Sequence, residues 1–334
     1  MAVVNQIESA SDRGKHMKIL ATGGLGTVGH VLVLELRKRG HEVHVLDLPH
    51  HHDPFYHRCD VGSFYQLQRI FEANQYDYVY HLAAEFGRWN GEDFYDTLWR
   101  SNVIGTKNLL RLQERYKFRM IFFSSSEVYG DWDGVMSEDV MDKYEVRQLN
   151  DYAITKWVGE LQIMNSAAQF GTETVRVRLF NTYGPGEYYS TYRSAICKFI
   201  YHALHDMPYR VYLGHHRTST YVTDTVRTLA NIINNFRPGE VYNIGGDEYH
   251  DMKQVSDLIL NYLGKDDRLV EYVEGEPFTT KDKKVDLTKA IRDLDHRCEV
   301  RLAEGIPRTI RWMQAVYKGG GEEPVRPAQL YSFL

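Results

Sequence analysis

The segment Thr22-Gly23-Gly24-Leu25-Gly26-Thr27-Val28-Gly29 constrains the fold more than any other stretch of this chain. It follows an apolar run, Lys18-Ile19-Leu20-Ala21, that reads as a buried strand. It opens a helical pattern, Val31 to Leu36, that ends near Gly40. Glycines at 23, 26 and 29 let the turn tighten, let the backbone approach a pyrophosphate, and let the helix pack on the strand. The helix N-terminus then faces phosphate oxygens. A second strand pattern, Glu42-Val43-His44-Val45-Leu46, ends in Asp47, 18 residues after Gly29. A carboxylate there can accept both ribose hydroxyls of an adenosine and repels a 2′-phosphate. The spacing therefore points to NAD in preference to NADP.

Two further motifs carry chemistry. The apolar strand Met120-Ile121-Phe122-Phe123 runs straight into Ser124-Ser125-Ser126-Glu127. In open α/β sheets, ligands bind beyond the carboxyl ends of the strands. Serines at a strand end also cap turns, so the motif gains weight only from its neighbours. The second motif is Tyr152-Ala153-Ile154-Thr155-Lys156 within a helical pattern. Residues four apart share a helix face. A lysine ammonium beside a phenol favours the phenolate, so Tyr152 is expected to take a proton well below the ordinary phenol value. Taking a hydroxyl proton while a hydride leaves the same carbon is general base work.

With these pieces in order, the chain resembles the extended short-chain dehydrogenase/reductases of the nucleotide-sugar epimerase/dehydratase group, over about residues 17 to 318. Supporting segments are Asp60-Val61, His81-Leu82-Ala83-Ala84, Asn102-Val103-Ile104-Gly105-Thr106, Arg178-Leu179-Phe180-Asn181-Thr182-Tyr183-Gly184-Pro185-Gly186 and Val241-Tyr242-Asn243-Ile244-Gly245-Gly246. One departure is Val28-Gly29, where the family more often has an aromatic residue or isoleucine before the last glycine.

The resemblance implies tightly held NAD. Its contacts would come from Gly23, Gly26, Thr27, Val28, Gly29 and Asp47, from Asp60 and Val61, from Leu82, Ala83 and Ala84, and from Asn102, Tyr152 and Lys156. It implies oxidation of a hexose carbon through Ser125, Tyr152 and Lys156. Glu127 would then act as a base at C5, which favours 4,6-dehydration of a nucleotide-linked hexose. C4 epimerisation and glucuronate decarboxylation are the alternatives. Ser126 stands where glucose-nucleotide dehydratases carry an aspartate acid, which leaves the general acid open. For the nucleotide sugar, the resemblance points to Asn181 and to Arg217 as a phosphate clamp. Arg193 and Lys198 are weaker candidates, and Glu85 and Arg88 are expected to line the sugar pocket. A guanidinium fork suits diphosphate oxygens. A non-catalytic dinucleotide sensor on the same fold is the competing class, but such proteins typically lose the YxxxK that this chain keeps.

Composition narrows the partners. A net charge of −5 speaks against nucleic acid. Three widely spaced cysteines, Cys59, Cys197 and Cys298, suit a reducing compartment and offer no zinc spacing. No apolar run approaches a membrane span and none resembles a signal core. A cytoplasmic location, no metal and no membrane are therefore expected. His50-His51-His52 reads as a solvated rim near the adenosine.

Up to about residue 170, strands alternate with helices, which signals a doubly wound parallel sheet. The expected architecture is a leader at 1–16, an NAD-binding Rossmann domain at 17–180, a smaller α/β substrate lobe built mostly from 181–318, and a tail at 319–334. Apolar residues on the helices at about 93–116 and 152–168, including Val103, Leu109, Leu110, Trp157, Leu161 and Met164, suggest a homodimer through a four-helix bundle, as related proteins form.

Overall fold

The structure is a computed structural model that describes residues 14–276, 279–317 and 333–334. Most of the expected leader and tail lies outside the described residues. Seven parallel strands form the central sheet: β1 Lys18–Thr22, β2 Glu42–Asp47, β3 Tyr56–Arg58, β4 Tyr78–His81, β5 Arg119–Ser125, β6 Thr174–Leu179 and β7 Val241–Ile244. Their order is β7-β6-β5-β4-β1-β2-β3. The chain thus winds outward from β1 in one direction and from β4 in the other, and a crevice opens where the winding reverses.

A parallel sheet is covered on both faces, so its strands are apolar throughout. Successive side chains point to opposite faces. Ile19 and Ala21 of β1 accordingly join one buried cluster and Leu20 joins another; Ile121 and Phe123 of β5 divide in the same way from Met120 and Phe122. Helices α1 (Thr27–Lys38) and, later in the chain, α6 (Val222–Asn231) cover the first face. Helices α2 (Phe64–Ala73), α3 (Gly105–Tyr116) and α4 (Asp151–Phe170) cover the second. The chain therefore returns to the Rossmann sheet after residue 181, supplying both β7 and α6.

The remaining C-terminal elements are α5 (Ala195–Leu204), α7 (Met252–Leu263) and α8 (Leu302–Tyr317), which pack together. Beside them, Tyr209–Leu213 pairs in parallel with Val270–Glu274. A second small ladder has consequences for the site. Lys284 and Val285 pair in parallel with Val135 and Met136, and the Asp286 N–H donates to Met136 O at 3.0 Å. This draws a late segment of the chain against the end of β5.

The stretch before α3 is helical from Tyr95, with one π turn at Arg100–Ile104 that contains Asn102. Leu109 and Leu110, expected on a surface face, have no exposure and belong to the core, because they point at the chain's own sheet. Ile104 and Leu161 are exposed, and Val103, Trp157 and Met164 are partly buried.

Candidate active site

A cleft of about 570 Å³ opens at the carboxyl ends of the strands. One wall is the glycine loop. Gly23 has φ +68°, and a Cβ there would lie 2.7 Å from the Ala83 nitrogen. A Cβ on Gly29 would lie 2.3 Å from Gly23 O. Only glycine permits this approach of loop, helix and β4. Gly26 is the N-cap of α1, with no side-chain cap and no acid in the first turn. The N–H groups of that turn are thus left for a ligand's oxygens. Asp47 stands on the cleft wall at the end of β2. Its two carboxylate oxygens accept the Leu25 and Leu48 N–H groups at 2.9 and 2.8 Å, which fixes the group in place. Thr27, Val28, Asp60, Val61, Leu82, Ala83 and Ala84 line the same cleft. A backbone cradle at a helix N-terminus, with a fixed acid beyond β2, fits a dinucleotide carrying an unmodified adenosine ribose.

Asn102 is not on the cleft wall. It is buried, and its amide holds the Glu85 backbone from both sides: the Glu85 N–H donates to Oδ1 at 2.9 Å, and Nδ2 donates to Glu85 O at 3.0 Å. Nδ2 also donates to Thr155 Oγ1 at 3.0 Å. Asn102 thus positions the loop after β4 against α4.

The candidate catalytic groups converge where β5 ends. Ser125 caps the short turn Ser126–Tyr129, accepting the Glu127 N–H at 3.2 Å. Asn150 caps α4, accepting the Ala153 N–H at 2.9 Å, and so sets Tyr152 and Lys156 at the start of the helix. Ser125, Ser126, Glu127, Tyr152 and Lys156 all line the cleft. Burial pushes Tyr152 up to about 12, opposed by its hydrogen bond with Ser125 and assisted by the Glu127 charge. Burial pushes Lys156 down to about 7. The expectation that Lys156 lowers the phenol is not met. Its Nζ donates to Phe123 O at 2.8 Å and lies 5.9 Å from the Tyr152 ring centre, while the charge of a nearby anion, Glu127, acts to raise the phenol.

That anion has a partner that the motifs do not announce. Lys283 Nζ donates to the Glu127 carboxylate and lies 3.3 Å from Ser126 Oγ. Burial would raise the Glu127 carboxyl, but the Lys283 ammonium and the Arg217 guanidinium together hold it below the ordinary value. Arg217 itself is buried behind Glu127, outside the cleft wall, and donates to His216 O and Lys281 O at 2.8 and 2.9 Å.

Beneath the site, Ser124 donates to the buried Glu160 at 2.5 Å, and Arg178 grips both Glu160 oxygens at 2.9 and 2.8 Å. This buried ion pair fixes the strand end from below. Sequence offers one signal for it: Glu160 lies four residues past Lys156 on the same helix.

Glu85, Arg88, Asn181, Arg193 and Lys198, expected to serve the nucleotide sugar, also line the cleft. Arg88 pairs with Glu276 and lies over the Trp89 ring at 4.4 Å. Burial lowers Lys198.

Comparison with known proteins agrees with this geometry. Residues 19–245 match the NAD dependent epimerase/dehydratase family. A UDP-N-acetyl-alpha-D-glucosaminuronate decarboxylase from Bacillus cytotoxicus is 30% identical, covering 90% of this chain and 98% of its own length. A dTDP-glucose 4,6-dehydratase from Salmonella typhimurium is 26% identical, covering 90% and 93%. Among solved structures, the epimerase Mth375 from Methanothermobacter thermautotrophicus superposes with a TM-score of 0.83 at 27% identity, covering 91% and 94%. The chain belongs to the NAD-dependent epimerase/dehydratase family. It is an enzyme whose cofactor is NAD, a group that the cradle described above fits.

Proposed function

We propose that the protein decarboxylates a nucleotide-linked uronic acid through a 4-keto intermediate, in place of the 4,6-dehydration that the sequence pattern leads with. The supporting observation is the Lys283–Glu127 ion pair. Elimination of water from C5 and C6 needs a base for the C5 proton and an acid for the departing hydroxyl. The site offers Glu127, held below the ordinary carboxyl value by Lys283 and Arg217 and so a poor base for the C5 proton, and beside it the Ser126 hydroxyl and the Lys283 ammonium as proton donors. Dehydration therefore lacks a strong base at C5, while the donors beside Glu127 would serve either reaction.

Loss of CO2 makes neither demand. Bound NAD supplies the hydride acceptor at C4. Ser125 hydrogen-bonds the reacting hydroxyl and Tyr152 takes its proton as the phenolate, which burial keeps the minor form in the free protein. The 4-keto uronate is a β-keto acid. Its C5–C6 bond breaks, CO2 leaves, and the electron pair passes into the enolate spanning C4 and C5. One proton must then reach C5, and the hydride and the Tyr152 proton must return to C4 and its oxygen, which would leave the pentose product and the oxidised cofactor. Lys283 and Ser126 form a buried donor pair at that end of the cleft, and the ammonium replenishes the hydroxyl. The resemblance to a uronate decarboxylase over nearly the whole chain supports the same reading.

The test is product analysis by mass after incubation with nucleotide-linked glucuronate, N-acetylglucosaminuronate and glucose. Loss of CO2 from a uronate is expected. Loss of water from the glucose derivative would return the reading to dehydration. Unchanged mass with an inverted C4, seen by NMR, would make the protein an epimerase.

A further inference from the structure

Arg193 belongs to the C-terminal half of the chain, on the strap of residues 187–194 that leads into α5. The strap is held at several points. Glu187 accepts the Ser194 N–H and hydroxyl at 3.0 and 2.8 Å, and Ser194 caps α5. Tyr192 donates to Asp93 at 2.8 Å. Gly186, with φ +99°, lies against the His30 ring of α1, so a Cβ there would lie 2.1 Å from that ring. The strap therefore crosses from its own lobe onto the N-terminal turns of α1.

At this crossing the guanidinium of Arg193 reaches Thr27, the first residue of α1. Nη1 donates to Thr27 Oγ1 at 3.2 Å, and the guanidinium lies 4.3 Å from the centre of the Phe86 ring. Its Nε–H is buried and has no hydrogen-bond partner among the described residues. The α1 terminus beneath it has no side-chain cap. A cation held over uncapped helix N–H groups, with a donor to spare, suits a diphosphate. The nucleotide-sugar end of the site already has Asn181 on the wall and two cations, Arg217 and Lys283, behind Glu127.

We propose that Arg193 serves the NAD pyrophosphate and not the sugar nucleotide, so that the substrate lobe itself retains the cofactor. The inference rests on the family's cofactor and is independent of which sugar reaction follows. A cofactor that must be regenerated in every turnover gains from such a strap, because the lobe that admits the sugar also blocks escape of NAD.

The experiment is binding calorimetry on the full chain stripped of nucleotide, with NAD, ADP-ribose, adenosine and UDP as separate probes. Arg193→Ala is expected to weaken NAD and ADP-ribose by about ten- to a hundredfold, the range for a lost charge-assisted hydrogen bond. Adenosine and UDP should change by no more than about twofold. Arg193→Lys, which keeps the charge and loses the fork, should fall between, and an unchanged thermal midpoint without ligand shows that each variant folds. Weakened UDP with unchanged NAD would overturn the proposal and return Arg193 to the sugar nucleotide. Equal losses for NAD, adenosine and UDP would also overturn it, as general damage to the cleft. If neither substitution folds, Arg193→Gln with the same probes decides on the same criteria.

Discussion

Lys283 and Glu127 are 156 residues apart and meet as an ion pair at the floor of the cleft. The parallel ladder of Lys284–Val285 with Val135–Met136 brings them together. Removing the cation by Lys283→Met leaves Glu127 with Arg217 alone, so its carboxyl rises toward and above the ordinary value. The titration of the Glu127 carboxyl, followed by its infrared band against a Glu127→Gln control, should then move up by about one unit or more, the usual reach of a lost neighbouring charge. Turnover at neutral pH should fall at least roughly tenfold, within the range of general acid–base contributions. A carboxyl titration that stays in place would show that Glu127 ionisation is not under the control of Lys283.

Tyr152→Phe removes the proton acceptor and nothing that touches the cradle. Turnover should drop about a hundredfold or more, while NAD affinity by calorimetry stays within about twofold. Since the phenol is pushed up to about 12 in the free protein and accepts a proton only when ionised, the rate of the unmodified enzyme should rise with pH on the alkaline side, and the activity that remains in Tyr152→Phe should lose that rise.

The parts of this site that were legible in the sequence are the local ones. Gly23 to Gly29, Asp47, Ser125 to Glu127, and Tyr152 with Lys156 each lie within one turn or one strand end, where spacing alone fixes geometry. Lys283 was not legible. It lies in Lys281-Asp282-Lys283-Lys284, a charge run that reads as solvated surface, and only tertiary pairing buries it. Asn102 and Arg217 were found as residues, but their positions behind the wall depend on a π turn and on a β-ladder that no local pattern encodes. The Lys156 effect on Tyr152 failed for a similar reason. Helical spacing sets which face a side chain shares, and burial with neighbouring charge sets its proton affinity.

Lys156 also makes a prediction about stability. Its pKa is about 7 in the folded protein against an ordinary 10.5. Burial therefore costs stability in full below about pH 7, and the cost is relieved as pH rises toward 10.5, because in that window the unfolded chain binds the extra proton. Each pH unit across the window is worth up to about 1.4 kcal/mol. Lys156→Met in cofactor-free protein should raise the urea midpoint at neutral pH and flatten its increase between neutral and alkaline pH. Parallel pH dependence in the two proteins would contradict this.

Asp47→Ala should weaken NAD and narrow the preference over NADP, because the acid that accepts the ribose hydroxyls also repels a 2′-phosphate. Calorimetry with both cofactors checks it. Comparable affinities in the unmodified protein would contradict the role given to Asp47.

We further propose a homodimer through the helices at 95–116 and α4. The exposed apolar residues Trp99, Ile104 and Leu161 replace Leu109 and Leu110 as its contacts. Light scattering at micromolar concentration should give a dimer mass, and Ile104→Glu with Leu161→Glu should give a monomer.

The central claim is that this site removes a carboxyl group. The most direct measurement is release of labelled CO2 from a nucleotide-linked glucuronate labelled at C6, in single turnovers with NAD-loaded protein, with N-acetylglucosaminuronate tried alongside. The account predicts labelled gas together with an unlabelled pentose product, and loss of both in Tyr152→Phe. Label retained in the sugar, with water lost instead from a nucleotide-linked hexose, would contradict it.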